Sequence, residues 1–420
     1  MSLYNAICTV IGIVALSGYA NARFTRLPDN IGITVIALLI SLAMAVLGTV
    51  VPAVAAWGRA AISRLDFPQL IFHGLLGPLL FAGSLHVDIT ALARAKWIIV
   101  LLATLGVVLS TALVGGAFFY GLRWLGTDIA FIDCLVFGAL ISPTDPLAAL
   151  GALRKAGVPP LLLTKITGEA LFNDGTGVVV FVVLVAIANG MQPLSAGSIA
   201  ALLAREVVGG IVFGLVIGFA GSWLLRRIDS HVVETLITLA MPTAGYAVAE
   251  AAGVSAPLAA VVMGLLVGSY GRRHAVSAQT RERLFSFWEL TDDLLNLLLY
   301  GLIGLELMAL AGSARAFVGP AILAIPISLL ARAISVGLPI TVLRRFQRFE
   351  PHVVKLMTWA GVRGALSIAM ALSLSRNHSR EIICAATYVV ALFSILVQAT
   401  TLEPLARRWA TNARPQRQAR

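Results

Sequence analysis

The sequence predicts an all-α polytopic membrane protein of about thirteen transmembrane helices, built as two inverted six-helix repeats whose broken helices, the fifth and twelfth, cross. Three observations carry that prediction. The 420-residue chain is 59% apolar and only 12% charged, with a mean hydropathy of +0.92; a soluble domain runs at roughly 45–50% apolar and about 25% charged. Its apolar residues fall into thirteen runs of membrane-crossing length. Two of those runs, seven places apart in the order, are interrupted by prolines or glycines beside a charge. Composition alone excludes an ordinary soluble enzyme and a disordered chain, because so much apolar surface cannot be hidden in one core.

The first run, 2–21, reads as a retained span: no Lys or Arg precedes it, and Arg23 and Arg26 follow it. Runs at 31–56, 68–86 and 97–122 come next. His73 and His86 lie near the ends of the third, where a lone histidine is ordinarily a solvated terminus and only secondarily a pH sensor.

The fifth run, 129–152, contains Ile141-Ser142-Pro143-Thr144-Asp145-Pro146. Two prolines three positions apart remove two backbone donors, so the helix must break here. In lipid such a break survives only where it is packed in protein or lines a cavity. Thr144 and Asp145 are placed to cap the restarted half-helix.

The sixth run, 161–188, contains Gly168-Glu169-Ala170-Leu171-Phe172-Asn173-Asp174-Gly175. Glu169 and Asn173 are one helical turn apart and Asp174 lies about 100° round, so two carboxylates and an amide share one side. A charge at mid-bilayer costs about 2.5–3.5 kcal/mol on insertion scales, and oxygen donors at this density suit Na+ or H+. Lys165, one turn earlier, is expected at the cytoplasmic end rather than in the site.

In the seventh run, 200–225, Gly210, Gly214 and Gly218 form a small-residue ladder for helix packing. Runs at 232–251 and 254–271 follow. The tenth, 288–310, carries Asp292 and Asp293 near its start, then Asn296 and Glu306. The acidic pair reads as a solvated helix end, with a surface for approaching cations as the second reading. Arg332 lies inside the eleventh run, 317–343, and Arg363 inside the twelfth, 354–374, bracketed by Gly361 and Gly364. Buried charges must be paired, so these arginines are the expected partners of Glu169 and Asp145. The thirteenth run, 382–403, precedes a short basic tail, 404–420.

Basic residues orient the chain. With the N-terminus outside, 22 of the 31 Lys and Arg fall on cytoplasmic segments, against 7 on external ones (Arg59, Arg64, Arg123, Arg205, Arg315, Arg376, Arg380). That bias predicts an external N-terminus, a cytoplasmic C-terminus and an odd number of spans in the cell's inner or plasma membrane. The net charge of +11 therefore reflects topology and the lipid bilayer, not a nucleic-acid partner. Cys8, Cys134 and Cys384 all lie in apolar runs with no CxxC, so neither zinc nor a disulfide framework is indicated. No P-loop and no HExxH occurs, and no cofactor is expected. An odd offset between the two broken runs means that their helices point in opposite directions. Paired broken helices in an inverted repeat are the sequence pointer to a transporter site at mid-membrane.

The stretches ISPTDPLAALGALRKAGVP (141–159), ITGEALFNDGTGVVVF (166–181), FWELTDDLLNLLLYGLIGLEL (287–307) and WAGVRGALSIAMALSL (359–374), with a looser HGLLGPLLFAGSLHVD (73–88), resemble the monovalent cation:proton antiporters of the sodium/proton exchanger type, in particular the bacterial NhaP-like group. The resemblance covers essentially the whole chain. It implies a core of spans 4–6 and 11–13 (about 97–188 and 317–403), and a dimer-forming scaffold of spans 1–3 and 8–10 (about 2–86 and 232–310). Span 7 would link them within one exchanger domain, 1–403.

The same resemblance makes Asp174 the principal cation- and proton-binding carboxylate, shaped by Asn173 and Glu169, with Thr144 supplying a further oxygen to a monovalent cation. It makes Asp145 the cap of the broken helix and Arg332 and Arg363 the charge-balancing groups. The family pattern has Ser where this chain has Ala170, which removes one cation oxygen. Relatives that move net charge carry Asp at the position of Asn173, so the resemblance implies electroneutral exchange of one Na+ (or Li+) for one H+, by alternating access around a single Asp. K+/H+ exchange is the alternative. A passive channel would want rings of backbone carbonyls, and a membrane enzyme would want a nucleophile or metal beside the carboxylates; the sequence offers neither.

Overall fold

The apolar runs fold as helices almost throughout. The computed structural model describes residues 3–51, 66–190, 196–271, 278–310, 318–347, 349–375 and 378–411. In chain order these form α1 (Leu3–Ala20), α2 (Asp29–Val50), α3 (Phe67–Leu85), α4 (Lys96–Trp124), α5a (Phe131–Ile141), α5b (Leu147–Lys155), α6 (Pro160–Ala188), α7 (Ala196–Leu225), α8 (His231–Ala251), α9 (Ala256–Leu266), α10 (Ala278–Leu310), α11 (Val318–Leu343), α12a (Val353–Trp359), α12b (Ala365–Leu372) and α13 (Ser379–Trp409). Among the described residues, nine helices are long and apolar enough to cross a membrane, and two shorter ones are apolar. The predicted end of the second span (52–56), Arg59, Arg64, Arg315, Arg376 and the tail beyond 411 lie outside the described residues.

Two helices run further than their hydropathy predicts. The tenth starts at Ala278 because Leu284 and Trp288 are fully buried, with the Trp288 ring 4.8 Å from that of Phe81. The last helical segment continues to Thr411, into the expected tail, because Leu402 and Ala406 are buried within the core. Among the described residues, five π-turns lie within helices or at their ends, among them Leu102–Gly106 in α4 and Ser394–Gln398 in α13. No residue pattern announces these inserted turns.

Packing follows close backbone approach and aromatic contact. The Gly210, Gly214 and Gly218 ladder lays α7 on α9: a Cβ at Gly210 would sit 2.6 Å from the Ser255 carbonyl oxygen and one at Gly214 2.7 Å from that of Ala259. One buried cluster joins Leu80, Phe81, Met263 and Trp288 of α3, α9 and α10. Another joins Phe118, Phe137, Ala331, Met370 and Ile382 of α4, α5a, α11, α12b and α13. Outward faces stay apolar, as Leu39, Leu42 and Val46 of α2 and Leu330, Ile334 and Leu338 of α11 illustrate. At turn spacing, such stripes suit lipid contact.

Candidate functional site

The two interruptions meet. Pro143 and Pro146 end α5a and delay α5b, leaving residues 142–146 non-helical, and residues 360–364 separate α12a from α12b. The Asp145 N–H donates to the Val362 carbonyl at 2.8 Å, forming an isolated antiparallel bridge. This pairing satisfies backbone groups that a broken helix would otherwise strand in hydrocarbon. Gly364 makes the approach possible, since a Cβ there would lie 2.7 Å from Asp145 Oδ2.

Asp145 is held at this crossing in a way its expected capping role does not describe. The N-cap of α5b is Pro146, with no side-chain capping bond. Asp145 Oδ2 instead accepts a 2.6 Å hydrogen bond from the hydroxyl of Tyr300, a fully buried residue of α10.

The three polar side chains of α6 share one side of an unbroken helix but take different partners. Glu169, 1% exposed, takes a bidentate pair of hydrogen bonds from Arg332 of α11, with Nη2 at 2.9 Å from Oε2. Asn173 turns to the α5 break: its Nδ2 donates to Thr144 Oγ1 at 2.9 Å, and its Oδ1 accepts from the Thr144 N–H at 3.3 Å. Asp174 borders a cavity of about 670 Å³ together with Thr144, Asp145, Ser367, Asp292 and Asn296. Asp88, Arg154, Pro160 and Glu289 line the same cavity and are exposed. Thr144 and Asp174 are thus brought to one cavity, whereas neither Glu169 nor Asn173 lines it. Ala170 is buried and also absent from the lining.

The arginines divide. Arg332 is the partner of Glu169, as charge pairing predicts, and also reaches the Met357 carbonyl at 3.4 Å. Arg363, 2% exposed, donates to the Gly361 carbonyl at 3.1 Å, inside the α12 break. Lys165, near the start of α6, does not line the cavity; it is 5% exposed, forms a 3.0 Å ion pair with Glu350 and lies 5.0 Å from the centre of the Phe349 ring. The pair with Glu350, just before α12a, is what allows a lysine to be buried one turn from Glu169. Asn296 Nδ2 donates to Asp292, both to its carbonyl and to its carboxylate, and Asp292, Asp293 and Asn296 all line the cavity, well inside α10 rather than at a helix end. Of the histidines, His73 lies 3.5 Å from Glu250, and His86 lines the cavity edge-on to Phe285.

Sequence reasoning does not reach Tyr300 or Gln398. Gln398 Nε2 donates to the Trp359 carbonyl at 3.2 Å. The only available signal is that each is a polar group in an apolar run, which names no partner.

Comparison with known proteins adds four findings. The model of the family described as "Sodium/hydrogen exchanger, transmembrane" matches residues 11–408. The chain is 42% identical, over 97% of both chains, to the Na+/H+ antiporter NhaP of Pseudomonas aeruginosa. It is 30% identical to the Na+/H+ antiporter NhaH of Halobacillus dabanensis, over 94% of this chain and 95% of the relative. Its fold matches that of the sodium proton antiporter MjNhaP1 from Methanocaldococcus jannaschii, with a TM-score of 0.76, 19% identity, and coverage of 97% of this chain and 99% of the other.

Proposed function

The chain belongs to the sodium/hydrogen exchanger family, and from that premise we propose that it is a secondary active antiporter exchanging Na+ (or Li+) for H+. The observation that carries the reading is the division of labour on α6. Glu169 is occupied by Arg332 and Asn173 by Thr144, while Asp174 borders the cavity at the crossing of the broken helices. One carboxylate holds a cation or a proton but not both. The Thr144 hydroxyl and water complete an oxygen shell that suits a small monovalent cation.

Exchange then requires the loaded Asp174 to face the two sides in turn. The cavity lining includes Arg154, beside the basic Lys155, and the carboxylates Asp88, Glu289 and Asp293. By the positive-inside bias this is the cytoplasmic side, so the conformation is read as inward-facing, with the N-terminus outside and the C-terminus inside. In this proposal α4–α6 and α11–α13 move as a core against α1–α3 and α8–α10, α7 links the two, the repeats are inverted and a second copy completes a homodimer. The membrane is read as the cell's inner or plasma membrane, and the chain as a transporter rather than an enzyme.

The test is proton flux in proteoliposomes carrying an imposed pH gradient, with NaCl, LiCl and KCl added in turn. Na+ or Li+ should collapse the gradient in the wild type and leave it intact in Asp174→Asn. A response to K+ alone would assign K+/H+ exchange, and an undiminished Asp174→Asn would remove Asp174 from the site.

A further inference from the structure

The α5 break is gripped by a carboxamide from the helix that follows it: Asn173 of α6 donates to Thr144. The α12 break has a counterpart. Gln398 of α13, again the helix that follows, is 2% exposed and donates from Nε2 to the carbonyl of Trp359, the last residue of α12a. Its own Oε1 accepts from Ser394 Oγ at 2.6 Å, which orients the amide so that its nitrogen faces the break. The Trp359 indole is fixed by the same helix, donating to Thr401 Oγ1 at 3.0 Å. Ser394 and Gln398 are the first and last residues of the α13 π-turn, and such turns re-aim side chains inside a helix.

Three residues beyond Trp359, the Val362 carbonyl accepts from the Asp145 N–H. The Trp359 carbonyl that Gln398 holds is therefore joined through residues 360–362 to the contact that locates the α5 break, where Thr144 and Asp145 border the cavity beside Asp174. We propose that Gln398, oriented by Ser394, is a positioning residue for the ion site: with Asn173 it forms a pair of carboxamide clamps, one on each broken helix, that hold the crossing in register. A carbonyl in a low-dielectric interior that loses its donor is driven to find another, and a shift of the Trp359 carbonyl would carry with it the stretch that leads to Val362.

The proposal rests on the antiporter reading for its transport readout, so a second readout independent of transport is paired with it. The variants are Gln398→Met, which keeps length and volume but donates nothing, and Ser394→Ala, which leaves the amide in place but unoriented. In proteoliposomes, Gln398→Met should raise the half-saturating Na+ concentration about three- to tenfold and displace the pH profile of flux. Ser394→Ala should do the same more weakly. By hydrogen–deuterium exchange on the detergent-solubilised protein, the Asp145 amide, remote in sequence from both substitutions, should exchange about tenfold faster in Gln398→Met. A clamp that merely stabilises the fold would lower the yield of folded protein and leave the half-saturating concentration, the pH profile and Asp145 exchange as in the wild type; that result overturns the proposal. If Gln398→Met fails to fold, Ser394→Ala decides: unchanged flux parameters and unchanged Asp145 exchange overturn it. If the wild type itself shows no cation-dependent flux, the antiporter reading fails and the exchange data alone decide whether the clamp exists.

Discussion

Asn173 and Thr144 meet twice, side chain to side chain at 2.9 Å and backbone N–H to carboxamide oxygen at 3.3 Å. The amide that follows Phe172 on α6 is therefore a strut under the α5 break, and it sets the height at which Thr144 stands beside the cavity. Both residues are almost wholly buried, so neither end of the strut has water to fall back on.

Replacing Asn173 with Leu removes both bonds while keeping the volume. Leaving the Thr144 N–H and hydroxyl unsatisfied costs about 1–3 kcal/mol each in a buried setting. Asn173→Leu should lower the thermal unfolding midpoint by several degrees in a detergent fluorescence assay and abolish Na+-dependent flux. Wild-type stability would show that water reaches the break.

The Glu169–Arg332 pair should behave as a unit. Breaking a buried ion pair by removing one partner costs about 3–5 kcal/mol, whereas replacing both with apolar groups is often near neutral. Glu169→Gln and Arg332→Met should each reduce the folded yield sharply. Glu169→Met combined with Arg332→Met should recover much of it, as read by size-exclusion profile and unfolding midpoint. Additive losses would argue that the two act separately.

Gly364 and Gly116 offer a contrast. A methyl at Gly364 would sit 2.7 Å from Asp145 Oδ2, whereas one at Gly116 meets nothing within 4 Å. Gly364→Ala should cut flux at least tenfold in protein that still inserts. Gly116→Ala should be neutral or slightly stabilising, because alanine in a helix gains about 0.5–1 kcal/mol over glycine. Equal effects in the two would count against the crossing as a tight contact.

Tyr300 ties α10 to Asp145, and these are elements that must part if the core moves. A hydrogen bond to a charged group contributes about 1.5–3 kcal/mol. Tyr300→Phe should accordingly depopulate the conformation described here. A Thr164→Cys reporter on the cavity wall should react severalfold more slowly with a membrane-impermeant thiol reagent in that background. Unchanged reactivity would mean that the bond does not bias the conformation.

Electroneutral exchange predicts insensitivity to voltage. Imposing a K+-valinomycin potential on proteoliposomes should leave the Na+-driven proton flux unchanged within about twofold. A steep response would show that a second charge moves.

The places where the helices break were legible in the residues, because Pro143 with Pro146 and Gly361 with Gly364 forbid or discourage continuous helix at any location. The pairing of Arg332 with Glu169 was legible too, since a buried guanidinium must find a carboxylate and few exist. What escaped was adjacency. Tyr300 and Asp145 are 155 positions apart, and Lys165 and Glu350 are 185 apart. Nothing in a tyrosine or lysine announces its partner before the chain has folded. Periodicity places Glu169 next to Asn173 on α6, but it does not say that different elements, α11 and the α5 break, cover the two turns.

The pairing of formal charges around the crossing sets an electrical toll on its movement. Glu169 cancels Arg332, and Lys165 cancels Glu350, each by direct contact. Across the crossing, Arg363 and Asp145 sit on the two stretches that pair there. Among the described residues, none of the ion pairs involves Asp174. In the proposed exchange, a bound cation or proton offsets the charge of Asp174; without one, that charge would enter low dielectric uncompensated, where ion transfer costs several kcal/mol even after relaxation. On the proposed antiporter reading, the vacant carrier is thus the one least able to traverse, and that inequality would keep two gradients geared together without a gate that must recognise whether the site is filled.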